Sequence, residues 1–455
     1  MFLSNLSPAV AGRLAGRGNL VRVIANIGWL AFDKVLRYGV NFVLLAWIAR
    51  YLGVETFGLW NYAIAFVALF SMLNTLGLDS IVVKHLVAGQ RPAGEVLGSA
   101  LALRLIGSGL AVGLATGAIA LVRPEEPALR WLVGLTAAGF LFQAFDTIDL
   151  YFQAQLKSRY PVVARNVAFL LSAAVRVGLL LGGYPVVAFA AASVLELALA
   201  ALFMSYVYRR EGQSFREWRV NWPTVSLLGR EGMPLMLTGM VILIYMRTDQ
   251  VMLGSLAGDA AVGIFSVAVR LSEVWYFIPL IITNSTLPAM LEARKAGEAV
   301  YLKKMQQLYD GMAWLGFGTA LVLSLLATPL IVFVFGPDYA AAGPVLAVHA
   351  WTSAFVFIGF ACGNWYVAEG LQTYLFYRSL YGAVVNVALN FWLIPRYGGL
   401  GAAIATLASQ LVASYLANAF SAKTRLAFRM QTRSLWRIIT LHPLRSLRQY
   451  LQQTT

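Results

Sequence analysis

Seven basic side chains stand inside stretches otherwise apolar enough to cross a bilayer: Lys34, Arg37, Arg104, Arg165, Arg176, Arg247 and Arg270. A Lys or Arg at the centre of a spanning helix costs about 2.5–3.5 kcal/mol on insertion scales, so such groups belong against a wet cavity or acidic partners rather than lipid. In the first stretch Lys34, Arg37, Tyr38 and Asn41 follow the i, i+3, i+4, i+7 pattern and form one polar stripe. Cations at mid-depth suit an anionic cargo, and the planar fork of Arg matches phosphate oxygens. A diphosphate carried on a long lipid tail would fit a cleft open sideways to the bilayer.

Carboxylates accompany these cations. Asp33 lies four residues before Arg37, and Glu273 three after Arg270, both at pairing distance along a helix. Arg247 and Asp249 are two apart and point to different sides, so one of them needs a partner on another helix or in water. Gln143, Asp146, Thr147 and Leu150 are joined by Asp149. Two carboxylates on adjoining turns repel when both are ionised, which calls for compensation by Arg104, Arg165 or Arg176. Glu196 is placed to pair with Arg176. Asp33, Asp146, Asp149, Glu196, Asp249 and Glu273 together nearly balance the seven cations. The competing reading of each charge is therefore a structural ion pair, except for Lys34, Arg37 and Arg270, which lie near mid-span in equivalent hairpins and are expected to line a cavity. Trp275 and Tyr276 are expected to contact sugar or isoprenoid, the alternative being lipid. Asp146 and Asp249 are candidates to bind a proton or Na⁺ for coupling.

These residues must be positioned by membrane helices. Of 455 residues, 60% are hydrophobic and 12% charged, and the mean hydropathy is +0.71, far from the quarter-charged profile of a soluble domain. The expectation is an all-α polytopic membrane protein. Twelve windows of spanning length fall at 24–50, 57–79, 97–122, 129–153, 160–182, 185–207, 233–256, 261–288, 310–336, 343–368, 374–395 and 399–422. With both termini cytoplasmic, 24 of the 35 Lys and Arg fall on the cytoplasmic side and four on the other, which sets the orientation. The net charge of +15 then faces anionic headgroups, and nucleic acid is not needed to explain it. No short apolar core closed by a small-residue cleavage site follows Arg13, Arg17 and Arg22, so the first span reads as retained. The single Cys362 excludes an internal disulfide and reads as a packing residue. His85, His349 and His442 have no metal-binding spacing, and His349 reads as a hydrogen-bonded interior residue.

The hairpin at Leu52–Ala63 recurs at Ala257–Ala268, with Gly53 over Gly258, Gly58 over Gly263 and Ala63 over Ala268. Tyr160, Ala188 and Ala191 recur as Tyr374, Ala402 and Ala405. Copies separated by six spans keep one orientation, which implies a parallel repeat about an axis along the membrane normal. The expected organisation is an N-terminal lobe at 1–208, a cytoplasmic connector at 209–232, a C-terminal lobe at 233–422 and a basic cytoplasmic tail at 423–455, with a central cleft between the lobes. Gly109, Gly113 and Gly117 are expected to let helices approach closely. Arg425, Arg429, Arg433 and Arg437, at helical spacing, predict a surface helix on anionic headgroups.

The run Arg50-Tyr51-Leu52-Gly53 with Phe57-Gly58 and Gly77-Leu78-Asp79 resembles the N-terminal signature of lipid-linked oligosaccharide flippases of the Wzx/RfbX type, in the multidrug/oligosaccharidyl-lipid/polysaccharide (MOP) exporter superfamily. Asp249–Gly254, Val262–Ala268 and Tyr397-Gly398 with Gly401–Thr406 agree. The resemblance reaches to about residue 422. It implies twelve helices in two bundles, a basic central cavity in which Lys34, Arg37 and Arg270 match the region of the family's cavity cations, and alternating access. The implied cargo is an undecaprenyl-diphosphate-linked glycan such as an O-antigen unit of lipopolysaccharide, moved from the cytoplasmic to the periplasmic leaflet of a bacterial inner membrane. It further implies a monomer without cofactor, driven by a Na⁺ or H⁺ gradient or the membrane potential, among lipids and glycan polymerase or assembly partners. Lipid II flippases usually add two C-terminal helices, where residues 423–455 here are polar and basic. Drug/cation antiporters share the fold but favour cationic cargo, which Lys34, Arg37 and Arg270 would repel. An integral-membrane polymerase or ligase would show a large periplasmic loop and no lobe repeat, and a channel would not call for paired lobes.

Overall fold

The computed structural model describes residues 18–440 apart from Gln372, and the side chains within them apart from those of residues 18–36, Tyr38 and Tyr245. Lys34 and Asp33, and His442 with the end of the basic tail, lie outside this set. Seventeen α-helices run in chain order: α1 Gly18–Ala68, α2 Ser71–Thr75, α3 Leu78–Ala88, α4 Ala93–Val122, α5 Pro127–Gln143, α6 Thr147–Ala154, α7 Arg159–Leu181, α8 Val186–Arg210, α9 Trp222–Ala257, α10 Asp259–Glu273, α11 Phe277–Ala296, α12 Glu298–Leu325, α13 Ala327–Phe335, α14 Ala342–His349, α15 Thr352–Glu369, α16 Thr373–Ser414 and α17 Arg425–Ile439. Among the described residues there is no strand, and ten helices are long and apolar enough to cross a membrane.

Two of the ten are interrupted where separate spans are expected to meet. In α1 the break is Gly53, at φ 73° and ψ 172°, and in α16 it is Gly398, at φ 54° and ψ −130°. The first conformation is open essentially to glycine alone. Its counterpart Gly258, between α9 and α10, has φ 85° and ψ 173°, so the repeated sequence repeats its backbone. Other boundaries differ from expectation. The second expected span continues beyond α1 through α2 and α3, and α9 already begins at Trp222, leaving Glu211–Asn221 as the link before it.

The chain forms two compact units. The first runs up to Tyr51 and from Phe66 to Met240, the second takes in Leu52–Ala65 and the chain from Val241 onward. In the first unit Leu78, Leu97, Ile148 and Phe152 are buried together, and the link before α9 is fastened onto α4: Arg219 N donates to Gly94 O at 3.1 Å. Trp218 Nε1 donates to Tyr208 Oη at 2.8 Å.

In the second unit the two halves of the repeat pack on each other. Gly58 lies against the carbonyl of Asp259, and Gly263 against that of Val54, each too close for a Cβ. The two contacts exchange under the same sequence offset, as a local two-fold requires. The tail helix α17 also belongs here. Ala427, Met430, Gln431, Ser434 and Ile438 are buried on one face, so the expected surface helix is half built into its unit, against α12.

The stripe Gly109, Gly113 and Gly117 does not mediate helix approach: nothing comes within 4 Å of a Cβ placed on any of them. The close approach on α4 is at Gly107, which abuts the carbonyl of Leu73. The buried face of α4 runs through Arg104, Gly107, Ala111 and Ala115. Gly109 is two residues from that line, about 200° around the helix.

Candidate functional site

In the first unit one carboxylate serves two arginines. Arg37 on α1 donates to Glu196 Oε1 at 2.6 Å, and Arg176 on α7 donates to Glu196 Oε2 at 2.9 Å. The Arg37 guanidinium also lies over the ring of Phe169, 5.0 Å from its centroid. The triad carries one surplus positive charge. Its Arg37 end is the more open, with 31% of that side chain accessible against 10% for Arg176. Asn41, one turn further along α1, is exposed.

A second group in this unit is acidic overall. Arg165 pairs with Asp149, and Gln153 Nε2 donates to the same carboxylate at 2.9 Å. Arg104, almost wholly buried, pairs with Asp79. Asp146 has Arg165 and Arg104 as its cationic neighbours. Asn74 Nδ2 donates to Gln143 Oε1 at 2.8 Å, and Ser108 Oγ to Asn74 Oδ1 at 2.8 Å. The Arg165–Asp149, Arg104–Asp79 and Asn74–Gln143 contacts each join two helices, so these groups also hold the unit together.

The second unit also has one carboxylate with two arginines in its neighbourhood, here without direct contact. Glu273, at the end of α10, has Arg247 of α9 and Arg270 as its cationic neighbours and Asp249 as an acidic one. No ion pair shorter than 4 Å ties either arginine among the described residues, which leaves their guanidinium donors available to an anion. Trp275 is 38% exposed. Tyr276 is turned into the unit: its hydroxyl meets Thr352 Oγ1 at 2.7 Å and its ring packs edge-on against Phe357. That engagement suits packing better than contact with a sugar.

Asp249 occupies the opposite side of α9 from Arg247, and its partner is on another helix. Asn390 Nδ2 donates to Asp249 Oδ1 at 2.6 Å and to Asn386 Oδ1 at 3.0 Å, while Thr406 Oγ1 lies 2.6 Å from Asp249 Oδ2. Asp249 is 5% exposed and both asparagines are fully buried. Asn390 Oδ1 is left without a hydrogen-bond partner, as is Asn386 Nδ2. The carboxylate, the Thr406 hydroxyl and the orphaned Asn390 amide oxygen make an oxygen-rich set, joined by the orphaned amide nitrogen of Asn386. Such a set fits a small hard cation and not a transition metal. Among the described residues no group of three His, Cys, Asp or Glu is placed to hold a metal.

Asn386 and Asn390 are not among the residues that charge and motif single out, although two asparagines one turn apart in an apolar helix are a signal in themselves. The same is true of Arg378, also on α16. It donates to Gly359 O at 3.3 Å and lies over the Tyr366 ring. His349 is the expected interior residue, buried and edge-on to Phe265, with its Nδ1 left without a hydrogen-bond partner.

Membrane-length helices with breaks at repeated glycines are the features by which the fold is compared. The chain superposes on the inward-facing conformation of a multidrug resistance MATE family transporter of the MOP superfamily with a TM-score of 0.71 at 15% identity, over 92% of this chain and 99% of that one. The lipid II flippase MurJ in an inward closed conformation gives 0.70 at 14% identity, over 91% and 92%. Within this fold the sequence is more particular. Residues 23–294 match the polysaccharide biosynthesis protein family, and the chain belongs to it. The probable flippase AglR of Haloferax volcanii is 29% identical over 178 residues, 38% of this chain and 37% of that protein. The match spans less than half the length of the first curated relatives.

Proposed function

We propose that this protein is a flippase for an undecaprenyl-diphosphate-linked oligosaccharide, carrying it from the cytoplasmic to the periplasmic leaflet of a bacterial inner membrane by alternating access. Both termini are then cytoplasmic, as the asymmetry of Lys and Arg favours. The observation that carries the reading is the repeated surplus of positive charge. Each unit sets two arginines around one carboxylate, Arg37 and Arg176 about Glu196, Arg247 and Arg270 about Glu273. A cationic drug is repelled by such groups, whereas a diphosphate gains charge-assisted, forked hydrogen bonds. The fold alone is shared with drug exporters, so charge separates the two cargoes.

In this reading Arg247 and Arg270 are diphosphate-binding groups of one unit, and Arg37, with Lys34 of the same α1 stripe, those of the other. Membership of the polysaccharide biosynthesis family supports a glycan behind it, an O-antigen unit being one such cargo. Asp249 with Asn386, Asn390 and Thr406 holds the coupling cation, Na⁺ in preference to a proton because the donor set offers neutral oxygens as well as a carboxylate. The protein works as a monomer beside the polymerase or assembly proteins that receive the glycan.

The test is export of a labelled diphosphate-linked glycan by Arg37→Ala and Arg270→Ala proteins in proteoliposomes. Both variants should insert and purify normally yet lose export. Unimpaired export in both would remove the cationic site.

A further inference from the structure

A second basic site lies away from these charges, where the tail helix meets α12. A cavity of about 570 Å³ opens there between Leu302–Asp310 and Leu426–Arg437, within the size range of small-molecule pockets. Its floor is a fixed polar network. Asp310 pairs with Arg437 and accepts from Ser434 Oγ at 2.6 Å, while Gln306 Nε2 donates to Ser434 Oγ at 2.8 Å and to Met430 O at 3.1 Å. With Asp310 already neutralised by Arg437, the remaining cations on the wall, Lys303, Arg429 and Arg433, leave the cavity strongly positive. None of these three has a carboxylate partner among the described residues.

We infer that this pocket binds the phosphodiester headgroup of an anionic membrane lipid. Cations alone would serve a dissolved phosphate equally well. The apolar residues between them decide for lipid: Leu426, Trp436 and Ile439 are 40%, 65% and 73% exposed on the same helix. An exposed Trp beside Arg on an amphipathic helix is what a membrane interface accommodates. The wall opposite is the polar start of α12, and the helix turns apolar from Gly311 on, so the pocket stands at the depth of the headgroups. The site needs no particular cargo and stands or falls apart from the flippase reading.

The experiment measures lipid retention by the purified full-length protein, using phosphatidylglycerol against phosphatidylcholine in native mass spectrometry and thermal unfolding. The wild type should retain and be stabilised by phosphatidylglycerol alone. The Arg429→Gln/Arg433→Gln double variant should bind it at least about tenfold more weakly, since two charge-assisted contacts are lost. An Arg396→Gln control should match the wild type. Equal binding of both lipids by the wild type, or undiminished binding by the double variant, would overturn the proposal. So would equal stabilisation by inorganic phosphate, which would mark a free-anion site. Should the double variant fail to fold, phenylglyoxal labelling of the wild type decides: phosphatidylglycerol must protect Arg429 and Arg433, and unprotected labelling overturns the assignment.

Discussion

Asp249→Asn isolates the proposed cation site with little structural disturbance, because the network around it can reverse its polarity. Thr406 Oγ1 has one hydrogen and two acceptors in reach, Asp249 Oδ2 at 2.6 Å and Ala402 O at 2.8 Å. In the variant the new amide donates to Thr406, Thr406 donates to Ala402, and the remaining amide oxygen still accepts from Asn390. Each hydrogen bond survives and a buried charge is removed, so without added cation the variant should be as stable as the wild type or more so. Cation binding is what disappears. A ligand at a hundred times its dissociation constant stabilises by about 2.7 kcal/mol, and at about 2–4 °C per kcal/mol for a unit of this size the wild type should gain about 5–10 °C. Thermal unfolding in NaCl against choline chloride at matched ionic strength measures it. A NaCl shift that persists in the variant, or is missing from the wild type, refutes the assignment. So would a variant that melts several degrees lower without Na⁺, since Asp249 would then be a structural residue.

Glu196→Gln should destabilise by about 1–3 kcal/mol, less than the 3–5 typical of a fully buried pair because Arg37 remains partly solvated. Adding Arg176→Gln should restore part of that loss in thermal unfolding; an additive double variant would show the two residues to be uncoupled. On α4, Gly109→Ala, Gly113→Ala and Gly117→Ala should each stabilise by up to about 1 kcal/mol through helix propensity, whereas Gly107→Ala, which must displace the Leu73 carbonyl, should cost about 1–3 kcal/mol. The reverse order in melting temperature would contradict the packing described for this helix.

The helices are legible in the sequence because hydropathy is a local property: the expected windows fall on helical chain, though 57–79, 129–153, 261–288, 310–336 and 343–368 each take in more than one helix, and the repeated Gly53 and Gly258 mark the same backbone conformation. Their azimuth is not. Gly109, Gly113 and Gly117 have the spacing of a packing seam, but spacing does not say which way a seam faces. The division into units is hidden for a related reason. Helix α1 carries on past the break at Gly53 while the chain changes units at Leu52, and no change of composition marks that point. Among the site residues, charge reveals Arg37, Glu196, Arg247, Asp249 and Arg270, since a charge in an apolar window is conspicuous. Asn386, Asn390 and Thr406 are neutral and spread over the two halves of α16, so only folding brings them to one carboxylate.

That carboxylate shares a turn of α9 with an arginine. Arg247 and Asp249 are two residues apart, about 3 Å along the axis and about 200° around it. Asp249 is held by α16, and Arg247 faces Glu273 and Arg270 of α10. If a cation binds one face of the turn and a diphosphate the other, as proposed, no relay of side chains is needed to couple them, since any rotation of α9 that changes one set of contacts changes the other. Linkage then makes the coupling reciprocal. The factor by which lipid-linked diphosphate raises the affinity for Na⁺ must equal the factor by which Na⁺ raises the affinity for the lipid. Titrating each ligand with and without the other measures both factors. A Na⁺ affinity indifferent to the lipid would mean that the two faces of α9 act independently, and the gradient would then have to drive transport from another place in the chain.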